Sequence, residues 1–410
     1  TRTEQMRELL GSATLGNFSE ALDEALRLQA SRLHAPDSRK SDKALRRFTI
    51  REMADIAFRM NYNTLRHHLK TIEGLPEGIM EPGNRRTYAL EEIHEIQQRL
   101  HEAGKIPDDM FPGKRDGDET TKILCYNLKG GVSKTTCTAN LAQFLAMRGF
   151  KVLIVDLDPQ ASCSDLFDIQ ADLDDIPSIY DVLRYDEEVE GATRVPIAEA
   201  IQATYFPNID IIPGSISLTE FEYETASAAA KGIPFYSRIS DALGVVEDAY
   251  DVVIFDTPPH MSFCVIAALY ASNAMLIPLS AGMLDVVSLV KFLDLASSTL
   301  ESIEGVDPDK RFDFVRLLLT RYSPNDPAQL QLSSFLRNTL GASMLNTDFL
   351  NSTAIADAGN TMNPLLEVDP SSFTRKTYDR ILESLHGIAM EIEREIMVGR
   401  GRIAENEEAA

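Results

Sequence analysis

The sequence predicts a doubly wound α/β domain with a mostly parallel sheet, preceded by a smaller helical part. Three observations carry this. From Thr121 onward short apolar runs alternate with helical stretches, a glycine-rich turn joins the first run to a helix, and two later runs end in aspartate. Strand–helix alternation is what a doubly wound sheet requires. Strands covered on both faces read as continuous apolar runs.

The 410 residues and 44% hydrophobic content suffice for two or three domains with large cores. No run reaches the roughly 18 apolar residues that a membrane span needs. The stretch TRTEQMRELLG lacks the basic-then-apolar pattern of a secretory leader. Cys125, Cys137, Cys163 and Cys264 fit no zinc spacing, and a disulfide framework does not suit a chain this long. They are expected as small core residues of a cytoplasmic protein. The net charge of −23 argues against a surface coated in basic groups, though not against a local basic patch.

Residues 1–40 read as helical, with apolar side chains at Met6, Leu9, Leu10, Phe18, Ala21, Leu22, Ala25, Leu26 and Leu28. Residues 41–112 form a second, all-helical unit. In FTIREMADIAFRMNYNTLRHHLK, Thr49 and Glu52 can make a capping box for a helix over Ile50–Ala57. A turn around Arg59–Tyr62 precedes a second helix, Asn63–Lys70, which turns Thr64, Arg66, His67 and Lys70 outward. This is a helix-turn-helix layout with its second helix set for a major groove. GIMEPGNRRTY then suggests a wing with Asn84, Arg85 and Arg86 at its tip, followed by a closing helix. Between Pro36 and Lys70 nine basic side chains face four acidic ones, a local balance of +5 that can neutralise phosphates. The segment resembles the winged helix-turn-helix of MerR-type regulators.

Lys105–Thr120, with two prolines and two glycines, reads as a linker into a domain over residues 119–410. Expected strands are Ile123–Asn127, Val152–Asp156, Ile209–Pro213, Val252–Asp256, Ala274–Leu279 and Val315–Thr320. The run KGGVSKTT follows the first strand, and a helix over Thr136–Met147 carries Leu141, Phe144 and Leu145 as its apolar stripe. Glycines let backbone N–H groups curl around anionic oxygens. A helix N-terminus adds donors and partial positive charge. Lys129, Gly130, Gly131, Val132, Ser133, Lys134, Thr135 and Thr136 thus form a phosphate loop. Lys134 reaches the β- and γ-phosphates of ATP or ADP, and the Thr135 hydroxyl ligates Mg²⁺. The usual loop has glycine before the lysine; here Ser133 stands there and Lys129 is an added lysine, the variant called deviant Walker A. VLIVDLDPQAS and DVVIFDTPPH end in Asp156, Asp158 and Asp256. A carboxylate at such a strand end points into the ligand crevice. Asp256 suits the Mg²⁺ shell, and Asp158 the attacking water.

KGGVSKTT, VDLDPQAS and FDTPP together resemble the ParA/MinD group of P-loop ATPases over roughly residues 121–330. The resemblance implies an ATP-dependent homodimer with two nucleotides between subunits. Lys129 matches the lysine that crosses to the partner's phosphates, and Asp158 the residue that positions the lytic water; Lys129, Lys134 and Asp158 are then the catalytic residues. Iron-protein members need paired cysteines, for which only Cys163 and Cys264 lie near the motifs. MinD-like members end in a basic lipid-binding helix, whereas LHGIAMEIEREIMVGRGR carries glutamates on its polar face.

With its N-terminal extension the chain resembles most the RepA proteins of repABC-type plasmids, including at FTIREMA and GNRRTY. That resemblance implies a dimerising N-terminal helix and a winged domain on the operator of the protein's own operon. It also implies nonspecific DNA binding in the ATP state on the nucleoid, and a centromere-binding partner of the ParB/RepB kind. Arg321, Arg337, Arg375, Lys376 and Arg380 are candidates for the nonspecific contact, SSFTRKTYDR foremost. Thr320–Asn325 is the candidate adenine contact. Two readings compete: a nucleotide-sensing transcriptional regulator without transport, and a dethiobiotin-synthetase-like ligase, which has no use for a DNA-reading arm. The acidic tail Glu405–Ala410 is expected to be disordered.

Overall fold

The computed structural model describes residues 43–185, 193–352 and 363–404. The helices expected in residues 1–40 and the tail Glu405–Ala410 lie outside the described residues. Leu45–Ala410 form one compact unit.

The unit begins with Phe48–Thr49 (β1) and a helix (α1) that is α-helical over Ile50–Glu52 and π-helical over Met53–Phe58. Thr49 starts it: its Oγ1 accepts from the Glu52 N–H at 3.3 Å, and Glu52 Oε2 accepts from the Thr49 N–H at 2.8 Å. This is the expected capping box, worth about 1 kcal/mol. Arg59 ends α1 in the left-handed region, φ 46°. Asn61 then caps Tyr62–Thr71 (α2), accepting from the Asn63 N–H at 2.9 Å. Ile79–Glu81 (β2) and Arg85–Tyr88 (β3) form a hairpin around Gly83 and Asn84, and Leu90–Glu102 (α3) closes the segment. β1 pairs with β3, so a three-stranded antiparallel sheet stands where an all-helical unit was expected. A two-residue strand is too short to show a periodicity, which is why the sequence hides it.

The large sheet holds Thr121–Cys125 (β4), Val152–Asp156 (β5), Gln202–Ala203 (β6), Ile209–Ile212 (β7), Val252–Asp256 (β8), Ala274–Ser280 (β9) and Phe314–Thr320 (β10). Its order is β10-β9-β4-β8-β5-β7-β6. All pairs are parallel except β6 with β7. The six expected strands are present, Val152–Asp156 and Val252–Asp256 with the expected ends and the other four with ends shifted by one or two residues; the edge strand β6 was not expected. Lys134–Arg148 (α4) leaves β4, two residues earlier than expected. It is buried on nearly every side rather than along one stripe, because it lies between the sheet and Arg375–Gly399 (α8). Leu218–Ala230 (α5), Phe263–Ala271 (α6) and Met283–Glu304 (α7) cover the opposite face.

The apolar residues of the N-terminal segment, among them Phe48, Met53, Leu65, Tyr88 and Ile93, belong to the same core as α4 and α8. α8 is amphipathic as expected, but its apolar face packs inside the protein. Its glutamates also find partners: Glu391 accepts from the Asn346 and Thr347 N–H groups at 2.7 Å, and Glu395 pairs with Arg316 at 2.8 Å. The expected linker is pinned as well, since Arg400 donates to the Pro112 carbonyl at 3.0 Å and Arg402 to that of Gly113 at 2.8 Å. No helix among the described residues is long and apolar enough to cross a membrane.

His386 of α8 stacks on Phe144 of α4 with ring centroids 6.0 Å apart, and its Nε2 has no hydrogen-bond partner among the described residues. Burial, then the charges of Arg59 and Arg148, pushes its pKa down to about 4. The unfolded chain takes up this proton near pH 6.5 and the folded chain does not. The contribution of His386 to stability should therefore be full above pH 6.5 and fall by up to about 3 kcal/mol toward pH 4. The difference in denaturant midpoint between His386→Phe and wild type, followed across this range, should show that slope.

Candidate nucleotide site

The parallel register levels the strand ends: Cys125 of β4 pairs with Asp256 of β8, and Asp256 with Asp156 of β5. The loop between β4 and α4 opens over this row. Two of its residues have left-handed backbone, Gly131 at φ 75° and Ser133 at φ 68°. A serine there is strained where glycine would not be. Asn127 braces the loop, donating from Nδ2 to the Pro278 carbonyl at 2.8 Å and accepting the Lys129 N–H at 3.1 Å. On the far side Thr320 Oγ1 donates to the Val132 carbonyl at 3.1 Å, and Arg321 Nη1 to that of Gly131 at 3.1 Å. The Thr320–Asn325 stretch thus starts against the loop.

The two loop lysines part ways. Lys134 is buried and turns inward, its Nζ donating to the carbonyls of Asn127 and Lys129, both at 3.1 Å. Burial lowers its pKa, partly offset by Cys125, Asp256 and Asp158. Lys129 sits at the rim, 37% exposed, in an ion pair with Asp285 in the first turn of α7.

Below the loop, Thr135 Oγ1 donates to Asp256 Oδ2 at 2.7 Å and Thr138 Oγ1 to Asp256 Oδ1 at 3.3 Å. Asp156 accepts from the Asp158 N–H at 3.2 Å and from the Ser164 hydroxyl at 2.7 Å. Burial first, then the charge of Asp156, pushes the Asp256 pKa up to about 8; burial also raises Asp156, to about 6, despite the Ser164 hydrogen bonds. Both shifts report negative charge crowded where water is excluded. A hard cation with oxygen ligands would relieve it, and Thr135 with Asp256 present those oxygens. Asp158 is half-buried two residues beyond Asp156, to which its N–H donates.

The structure thus gathers Lys129–Thr136, Asp158 and Asp256 in one place. It does not bring the DNA candidates there. Thr64, Arg66, His67 and Lys70 lie exposed on α2, Asn84, Arg85 and Arg86 on the hairpin, and Arg375 and Lys376 at the start of α8. Of the other basic candidates, Arg337 pairs with Asp348 at 2.5 Å, and Arg380 donates to the Asn351 carbonyl at 3.4 Å.

Several site residues escaped the sequence reading. Asn127, Thr138 and Asp285 act on the loop or on Asp256, and none stands in a motif of its own. Gly214, after β7, lies so close that a Cβ on it would come within 2.7 Å of the Asp158 carbonyl oxygen. A glycine following a strand was the one available signal.

A family model described as an AAA domain matches residues 120–303. A Rhizobium rhizogenes protein named "Putative replication protein A" is 37% identical over 399 residues, covering 95% of this chain and 96% of that one. The chromosome partitioning protein ParA of Caulobacter vibrioides is 26% identical over 249 residues, 60% of this chain and 86% of that one. A solved structure described as a partition protein has a TM-score of 0.58 at 19% identity over 92% of this chain and 98% of that one, which shows the shared fold. Likeness to a relative that runs nearly end to end in both chains, on a loop and strand order of this kind, settles the family: the chain belongs to the ParA-like replication protein A family of P-loop proteins.

Proposed function

We propose that the chain is the ATP-hydrolysing switch of a plasmid partition system. ATP takes the curl from Lys129 to Thr136, and Lys134 leaves its carbonyl partners for the β- and γ-phosphates. Thr135 and Asp256 hold Mg²⁺, and Asp158 orients the attacking water. Two subunits close over two nucleotides, with Lys129 released from Asp285 to reach the partner's phosphates. Thr320–Asn325 lies toward the adenine.

The observation that carries this reading is the separation of the two lysines within one loop. Phosphoryl transfer spreads charge over several oxygens, so catalysis consists mainly of placing cations around them. Lys134 is buried on the inner side of the curl and Lys129 is at its rim. One cation suits the subunit's own nucleotide and the other a nucleotide on a facing copy.

The DNA contacts are the finer part of the proposal. α1, α2 and the hairpin act as a winged helix-turn-helix on the operator of the protein's own operon, through Thr64, Arg66, His67, Lys70, Asn84, Arg85 and Arg86. The ATP-bound dimer binds nonspecific DNA through Arg375 and Lys376. The exposure of all these side chains supports this. A centromere-binding partner of the ParB/RepB kind triggers hydrolysis and release.

Lys134→Ala should weaken ATP binding by about 100-fold or more, since it removes a buried cation from the phosphates; titration calorimetry reads this directly. Asp158→Ala should bind ATP within about threefold of wild type yet turn over about 100-fold more slowly and stay on nonspecific DNA. Turnover at the wild-type rate would remove Asp158 from its role. Arg85→Ala with Arg86→Ala should weaken operator binding and lower the salt slope by about 2, with basal ATPase unchanged. Unchanged affinity across salt concentrations would dismiss the wing.

A further inference from the structure

The two ends of α4 meet different chemistry. Its first turn, Lys134 and Thr135, faces the phosphate curl and Asp256. Its last turn is buried against the N-terminal segment. Fifteen residues make a rod of about 22 Å between them. The last carbonyls of a helix have no partner within it. Here α3 supplies them: His94 Nε2 lies 2.7 Å from the Ala146 oxygen, and Gln97 Nε2 donates to the Arg148 carbonyl at 3.1 Å. Gln97 Nε2 also lies 2.9 Å from the carbonyl of Ala57 in α1. A Cβ on Gly149 would come within 3.0 Å of Gln97 Oε1 and 3.2 Å of Pro112, so the chain packs closely against α3 where α4 ends.

Charge reinforces the joint. Arg148 donates to the same Ala57 carbonyl, to Met110 at 3.2 Å, and to both oxygens of Glu393 in α8 at 2.9 to 3.2 Å. Glu393 also takes Arg59, the left-handed residue between α1 and α2, at 2.5 Å. The Glu393 side chain is 5% exposed. Burial alone would raise its pKa, yet Arg148 and Arg59 hold it below the ordinary value. One buried carboxylate therefore ties the end of the phosphate-loop helix to the turn of the helix pair. Removing it would strand two cations away from water.

We propose that the Arg59–Glu393–Arg148 triad couples the phosphate site to the α1–α2 pair. Phosphate engaged at Lys134 and Thr135 immobilises the first turn of α4. The anchored rod carries that order to α1 and α2, whose polar ties to it are the Arg148–Ala57 hydrogen bond and the Arg59 link through Glu393. By linkage, a ligand held on the helix pair shifts nucleotide affinity by the same factor. The coupling rests on the nucleotide-binding reading above, but not on the DNA reading.

Amide hydrogen exchange of the full chain with AMPPNP and Mg²⁺ tests it. In wild type, exchange should slow by about tenfold both in the loop and in residues 50–71. In Glu393→Gln the loop should keep its protection while residues 50–71 change by less than about twofold. Arg59→Met, which leaves the Arg148–Glu393 pair in place, gives a second variant that cuts the same path should Glu393→Gln fail to fold. Loop protection in wild type without any change at residues 50–71 would overturn the coupling. Wild-type protection at residues 50–71 in folded variants would overturn the role of the triad. No protection anywhere would overturn nucleotide binding itself, and the coupling with it.

Discussion

The hydrogen-bond register of three neighbouring parallel strands places the ends of β4, β8 and β5 side by side, and the chemistry of the site follows from it. A parallel ladder fixes height and side together, because successive side chains alternate between faces. Slipping β8 by one residue would turn Asp256 from the face of α4 to the other face and leave Thr135 and Thr138 without their acceptor. The loop, the helix and the carboxylates are distant in sequence, and only this register assembles them.

The resulting pit is electrostatically unfinished. Asp256 is raised by burial and by the charge of Asp156, and Asp156 by burial and the charge of Asp158, while the buried Lys134 ammonium must settle for loop carbonyls. Such a site costs stability in the free chain. A triphosphate and a divalent cation supply the missing charges together, and either alone would leave one sign in excess. Ligand binding should thus stabilise the fold strongly, since what it completes is already in position.

Much of this architecture could be read from the residues. Runs such as VLIVD and VVIFD are buried on both faces and show as unbroken apolar stretches. The Thr49–Glu52 box and the loop glycines act locally, so a short window contains them. What stayed hidden depends on long-range pairing. Arg148 reads as an ordinary cation at a helix end, and Glu393 as part of a wetted acidic stripe, until the fold brings them together. Lys129 and Asp285 are likewise joined only by the parallel pairing of β4 and β9. The strand β1 was hidden for another reason: its two residues carry no pattern, and pairing with Tyr88 and Thr87 defines it.

The helix that leaves the nucleotide loop is enclosed on its outer side by α8, which lies at the other end of the ATPase half. During synthesis the loop, α4 and most of the sheet emerge while that covering is still missing. The growing chain then exposes Leu141, Phe144 and Leu145 to the cellular milieu until α8 arrives. Contacts of such sequence separation form slowly, and the interval before them is when an apolar face can join a neighbour instead. The same closure that dries the core thus leaves this face of α4 uncovered until α8 has been made.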